Sequence, residues 1–337
     1  MAGLKLQLQI EKLPLHEPFR ISGHIWTEVD VVVATLEEDG LRGRGEACGV
    51  YYMDDTPQTI MTTIEGVRAE IEAGIDRAGL QQLLPPGGAR NALDCALWEL
   101  ESVRSATPVW KLAGLEPPRP LITTFTLGAE DPEVMAARAR RYGKARALKL
   151  KLTGDLELDQ ARVQAVRDAR PEAWIGVDAN QGFSAEALPA LVRSLEVQHV
   201  SLLEQPVPRG READLNGFRS RIPIAGDESV LSLRELPAAV GRFDVINIKL
   251  DKCGGLTEGL AMASEARRLG MKVMVGNMVG TSLAMAPGFV LGQLCDVVDL
   301  DGPIFLTRDR KPSVSYDDGF IWSPESVWGA AVATAPA

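Results

Sequence analysis

Lys149 and Lys151 stand two residues apart in the run Ala147-Leu148-Lys149-Leu150-Lys151-Leu152. A β-strand sends residues i and i+2 to one face, so two ammonium groups about 7 Å apart point into the same space. Like charges held that close among leucines are expected to depress at least one lysine pKa and turn a surface cation into a base. An edge strand that uses lysines to block aggregation is the alternative, but the alternating leucines describe a strand buried on its other face. A third lysine, Lys249, closes the apolar run Val245-Ile246-Asn247-Ile248-Lys249. Lysines on opposite sides of a carbon atom could take a proton from one face and return it to the other. A plain salt bridge between Lys249 and a carboxylate competes with that reading.

Three acids close further short runs, in Asp178-Ala179-Asn180, Glu204-Gln205-Pro206 and Asp227-Glu228-Ser229. They are separated by 26 and 23 residues, about one βα unit each. Three carboxylates brought together would repel and raise their own pKa values, so the set wants a divalent cation. Oxygen-only ligation without His or Cys favours Mg²⁺ over zinc. A lone acid after a strand is more often an N-cap or a loop charge; three in register are not. Glu228 is expected to point away from Asp227 if the strand persists. Asp299 and Asp301 flank Leu300, share one face, and could bind a cation or serve as structural acids beside Lys or Arg.

From about residue 120, β-rich runs alternate with amphipathic ones. Strands are expected at 121–127, 147–152, 174–180, 200–206, 223–229, 245–250, 273–278 and 297–303, with helices between them such as 132–142, 155–170, 185–196, 231–240, 256–269 and 282–294. Eight strands with seven crossovers suggest a closed barrel, whose active site lies at the C-terminal ends of its strands. No Gly-rich nucleotide turn follows the first strand, where Gly128 stands alone. Residues 1–118 read as an α+β unit, with antiparallel strands at 4–11 and 29–38, a Glu38-Asp39-Gly40 turn, and helices at 59–75 and 89–103. The expectation is an α/β protein in three parts. A capping domain spans 1–118, a barrel spans 119–309, and a tail at 310–337, carrying Trp322 and Trp328, packs back on the cap.

A chain of 337 residues, 45% hydrophobic, can bury one large core and a smaller one. Net charge −10, no basic block and 5% aromatic content argue against a nucleic-acid or anionic-membrane partner. Four cysteines without a C-x-x-C pair indicate neither zinc nor a disulfide framework. The N-terminal residues have no secretory pattern, and no apolar run reaches the roughly 20 residues of a membrane helix. A cytoplasmic, soluble protein is expected.

Lys149-x-Lys151, Asp178-Ala179-Asn180, Glu204-Gln205-Pro206, Gly226-Asp227-Glu228-Ser229 and Ile248-Lys249-x-x-x-Cys253-Gly254-Gly255 together resemble the muconate-lactonizing branch of the enolase superfamily. The resemblance spans nearly the whole chain. It implies a (β/α)7β barrel behind a capping domain, Mg²⁺ on Asp178, Glu204 and Asp227, and proton abstraction α to a carboxylate through an enediolate. Lys151 and Lys249 would be the two bases, with Lys149 adding positive charge beside the carboxylate oxygens. Asp299-x-Asp301 is similar to the pair that holds the substrate α-ammonium in dipeptide epimerases, which implies a dipeptide inverted at its C-terminal residue. Homo-oligomers are common in the family. Lid segments are expected at 19–26 and 49–55; His24, Tyr52, Thr126 and Met278 are the candidate side-chain contacts. His24 stands where Ala-Glu epimerases carry arginine, and Gly280 where relatives often carry Glu, so Ala-Glu is not the expected substrate. Trp26, Tyr51 and Tyr52 suit an apolar side chain, Asp54 and Asp55 a basic one. An N-acylamino acid racemase, an o-succinylbenzoate synthase or a cycloisomerase on the same scaffold is the enzymatic alternative; a catalytically idle carboxylate-binding barrel is the non-enzymatic one.

Overall fold

The structure, a computed structural model, describes residues 4–21 and 23–329. Its first unit is a three-stranded antiparallel sheet of β1 (Lys5–Ile21), β2 (His24–Glu38) and β3 (Leu41–Ala47), backed by the helix Gly88–Ser105. Helix and sheet touch closely because β3 carries glycine on the contact face: a Cβ on Gly45 would lie 2.0 Å from the Ala92 carbonyl oxygen. The buried cluster between them includes Leu6, Val32, Leu36, Ile60, Leu93 and Leu100. The helix expected at 59–75 is two, Pro57–Gly66 and Arg68–Glu72. Pro57 begins the first, and Thr56 and Thr59 cap it reciprocally.

The hairpin differs most from expectation. The sequence predicts strands at 4–11 and 29–38; they run on to Ile21 and back to His24, with a register shift between Pro14 and Phe19. Polar residues at Lys12, His16, Glu17, Glu28 and Asp30 hide the apolar alternation in the sequence. The expected lid at 19–26 is therefore the tip of a long β-ribbon; of its residues, Ser22 lies outside those described. The Arg20 carbonyl accepts from Ala129 N at 3.1 Å, and Glu17 pairs with Arg138. Leu15 bridges to Leu306. These contacts seat the ribbon across the barrel mouth.

After β4 (Leu121–Ile122) comes the barrel: β5 (Thr124–Leu127), β6 (Ala147–Lys151), β7 (Trp174–Asp178), β8 (Leu202–Glu204), β9 (Ile224–Gly226), β10 (Val245–Lys249), β11 (Lys272–Gly276) and β12 (Val297–Val298). All seven pairings are parallel and in sequence order. This is the (β/α)7β barrel expected, with shorter strands. The expected helix 231–240 is instead a 3-10 turn, Leu233–Glu235, followed by the single turn Leu236–Ala239. Side chains close the seam between β12 and β5. Asp299 Oδ1 accepts from Thr124 Oγ1 at 2.6 Å, Asp301 Oδ2 from Thr126 N at 2.6 Å, and Thr123 Oγ1 from Leu300 N at 2.9 Å.

Cap and barrel meet just after β10. Arg90 of the long cap helix donates to the Cys253 carbonyl at 2.6 Å, and Asp94 Oδ2 accepts from Thr257 N at 2.9 Å. The glycine of the Cys253-Gly254-Gly255 motif has its reason here: Gly255 has φ +111°, and its Cβ would stand 2.5 Å from Asp94. The C-terminal segment touches both units. β13 (Ser315–Asp317) pairs with β14 (Phe320–Trp322), which in turn pairs with β4, Trp322 packs on Phe289, and buried Trp328 donates to the Arg44 carbonyl at 2.9 Å. Residues 330–337 of the expected tail lie outside those described.

Candidate active site

Strand parity does most of the positioning. In β6, Lys149 and Lys151 face inward while Leu148, Leu150 and Leu152 join the core outside the strands. Asp178 pairs in register with Lys151 and Glu204 with Asp178, so the acids succeed one another around the rim. Carboxylate oxygens of Asp178, Glu204 and Asp227 lie within 4.8 Å of one another, all buried. Such a compact oxygen-only set fits a hard divalent cation such as Mg²⁺.

The lysines are threaded among these acids. Lys151 Nζ lies 2.6 Å from Asp178 Oδ2; Lys149 Nζ lies 3.4 Å from the same atom, 2.8 Å from Glu204 Oε2 and 2.9 Å from Asp299 Oδ2. The expectation that the lysine pair would depress a pKa is not met at Lys149. Burial alone would lower it, but Asp299, Glu204 and Asp178 outweigh burial and hold its pKa well above the ordinary lysine value. Lys249 Nζ pairs with Asp227 Oδ2 at 2.6 Å. The salt bridge weighed against its role as a base is thus present, and its pKa is raised, Asp227 outweighing burial.

Glu228 corrects a second expectation. The strand ends at Gly226, so period-two alternation no longer turns Glu228 away. It is buried beside Asp227, lines the same cavity, and its Oε2 has no hydrogen-bond partner. Burial, then the Asp227 charge, pushes its pKa up to about 8. Glu204 is likewise pushed up to about 7, by burial and then Asp178.

Three positioning residues went unread in the sequence. Asn247 shares the inward face of β10 with Lys249 and donates to Glu204 Oε1 at 2.8 Å; the same i, i+2 rule would have found it. Lys252, fully enclosed, donates to Asp227 Oδ1 and to the Asp227, Val230 and Asn247 carbonyls at 2.6 to 3.0 Å. Gln205 Oε1 accepts from Asp227 N and Ser229 N. Lys252 and Gln205 lie just past strand ends, where parity gives no signal.

Above this floor lies a cavity of about 360 Å³. Lys149, Lys151 and Lys249 open onto it, as do Asp299, Asp301, Thr126, Met278 and Tyr52. His24 does not line it: the exposed imidazole stacks on Trp26, centroids 5.3 Å apart, and meets Tyr51. Asp299 is committed to Thr124 and Lys149. Asp301 has one oxygen on Thr126 N and the other 3.5 Å from Asn277 Nδ2; burial, then Asp299, pushes its pKa up to about 7. Among the described residues no helix is long and apolar enough to cross a membrane.

Comparison with known proteins places these features in context. Residues 5–114 match the mandelate racemase / muconate lactonizing enzyme N-terminal domain, and residues 133–327 the enolase C-terminal domain-like family. The chain is 40% identical over 309 residues to the L-Ala-D/L-Glu epimerase of Escherichia coli, covering 92% of this chain and 96% of that one. It is 40% identical over 304 residues to an N-acetyl-D-glutamate racemase of a Pseudoalteromonas species, covering 89% and 96%. A solved enolase family member from Agrobacterium tumefaciens, with homology to dipeptide epimerases and bound to sodium and L-Ala-L-Glu, superposes with a TM-score of 0.93 at 39% identity, covering 97% and 100%.

Proposed function

The chain belongs to the mandelate racemase / muconate lactonizing enzyme family of the enolase superfamily, and from that premise we propose that it is an Mg²⁺-dependent isomerase that inverts the C-terminal α-carbon of a dipeptide. One observation carries the reading: Lys151 and Lys249 open onto a single cavity directly above three clustered carboxylates. Asp178, Glu204 and Asp227 would hold the ion. When bound there, Mg²⁺ supplies electrostatic stabilisation to a carboxylate whose α-proton is otherwise very weakly acidic, on the order of several kcal/mol.

The side chains divide the remaining work. Lys149, anchored by Asp299 and Glu204, fixes a positive charge beside the substrate carboxylate. Lys151 takes the α-proton from one face and Lys249 delivers one to the other, the roles reversing for the opposite stereoisomer. Asp301 accepts the substrate's N-terminal ammonium, and the β1–β2 ribbon excludes water from the mouth. The capping domain read at 1–118 acts as the lid unit and 119–309 as the catalytic barrel, and of the tail the described residues, up to Gly329, pack back on the cap through Trp328.

A second reading keeps the chemistry and changes the substrate. Because Asp299 is committed to Thr124 and Lys149, Asp301 is the member of the Asp299-x-Asp301 pair left for an ammonium, and an N-acylated amino acid would need no such carboxylate. The Pseudoalteromonas relative is named for that substrate type. Incubation with Mg²⁺ in D₂O decides: deuterium entering the C-terminal α-carbon of L,L-dipeptides supports epimerisation, whereas uptake by N-acetylamino acids alone favours the racemase. No uptake by either ends both readings.

A further inference from the structure

The floor of the cavity is charged, but its roof is a row of rings. Phe305 and Phe19 have centroids 4.9 Å apart, Phe19 and Trp26 6.3 Å, Trp26 and Tyr51 5.3 Å, and Tyr51 and Tyr52 5.1 Å. All five line the cavity. Among the described residues no Lys or Arg of the capping domain does; the three lining lysines belong to the barrel floor and are paired with acids there.

The cap's charged groups on this cavity are all acids. Glu28 and Asp30 take Lys12 from the outer side, at 2.9 and 3.7 Å, and Asp55 Oδ2 accepts from Gly88 N at 2.7 Å. A carboxylate-bearing side chain would meet Glu28, Asp30, Asp55 and the unpaired Oε2 of Glu228 with no cation from the roof to receive it. A cationic one would find Glu28 taken by Lys12, Asp55 taken by Gly88 N, and the Lys12 ammonium 3.7 Å from Asp30 to repel it. A ring or branched chain meets aromatic faces.

Resting on the dipeptide reading above, we infer that the residue inverted carries a bulky uncharged side chain, aromatic or branched aliphatic, seated on Trp26 and Tyr51. This sets the chain apart from relatives named for glutamate derivatives.

The full-length protein with Mg²⁺ in D₂O is assayed on L-Ala-L-Phe, L-Ala-L-Leu, L-Ala-L-Glu, L-Ala-L-Lys and L-Ala-L-Ala, with deuterium at the C-terminal α-carbon read by mass spectrometry. The Phe and Leu dipeptides should exceed the Glu and Lys ones in kcat/KM by roughly 30-fold or more, a gap well within what side-chain pockets achieve. Trp26→Ala should lower kcat/KM for Ala-Phe about tenfold more than for Ala-Ala, mainly through KM. Faster exchange of Ala-Glu or Ala-Lys overturns the side-chain assignment and leaves epimerisation standing, as does a Trp26→Ala loss equal for Ala-Phe and Ala-Ala. Absence of exchange in every dipeptide overturns the dipeptide reading, and this inference with it.

Discussion

Floor and roof of the cavity are built on different principles. On the floor, each of the three lysines facing the cavity is within 2.9 Å of a carboxylate, and the side chains hang from paired strands whose register fixes their spacing. On the roof, aromatic side chains from a β-ribbon and a 3-10 turn meet mostly through ring contacts, and the buried Tyr52 hydroxyl has no partner. A rigid, charge-balanced floor suits a reaction that is the same for every substrate, whereas a roof held by dispersion and burial can change from chain to chain without disturbing it. Floor substitutions should therefore strike kcat for all substrates, and roof substitutions should strike KM for some.

The largest effect is expected from the two bases. Lys151→Ala and Lys249→Ala should each abolish epimerisation, since a single positioned base is commonly worth about 10²–10⁴-fold and here the second cannot reach the same face. Each variant should still exchange the α-proton of one stereoisomer with solvent deuterium, and of opposite stereoisomers. Full epimerase activity in either variant refutes the two-base scheme. Next comes Asp178→Asn, which removes one charge from the triad and should weaken Mg²⁺ binding by at least tenfold in calorimetric titration; unaltered binding would separate the acids from the ion.

How much of this was legible without coordinates follows from where each residue sits. Lys149, Lys151, Asp178, Glu204 and Lys249 are the inward residues at the ends of β6, β7, β8 and β10, so period two and the barrel rule sufficed. The condition set for Glu228, a strand that persists, fails at Gly226, where the chain turns and Val230 N bonds back to the Asp227 carbonyl. The rise of the Lys149 pKa has no signal in the sequence, because its partners come from β7, β8 and the segment after β12, and sequence neighbours alone carry no account of them. The ribbon was cut short because charged residues along its exposed face mask the alternation. His24 stacks on Trp26 without lining the cavity, since a strand residue two places away on a twisted ribbon tip need not reach the same space.

A smaller effect tests the boundary between floor and roof. With Asp301 pushed up to about 7, its carboxyl is largely neutral at pH 6 and ionised at pH 8. Only the ionised form attracts an ammonium, so kcat/KM for dipeptides should rise across that interval and fall again as the substrate amine, with a pKa of about 8, loses its proton. Asp301→Asn should raise KM for dipeptides about tenfold, the scale of a hydrogen bond to a charged group, and remove the rising limb. N-acetylamino acids should show neither change; an equal loss for them would make Asp301 a seam residue only.

The smallest effect concerns how the roof is fastened. Asp251 follows Lys249 by two residues and accepts from Cys48 N and Gly49 N at 2.9 and 3.0 Å, tying the roof's second segment to β10. Burial pushes its pKa up to about 7. Because the folded state then holds a proton that the unfolded chain releases near pH 4, this group's contribution to stability is present below pH 4 and declines as pH rises through 7. Asp251→Asn keeps an acceptor for both amides and cannot ionise. Its unfolding free energy should fall less steeply between pH 5 and 8 than the wild type's, by on the order of 1 kcal/mol over the interval. Parallel profiles for the two proteins would mean that Asp251 stays ionised throughout, and that the roof is fastened by charge instead of by a neutral hydrogen-bonding group.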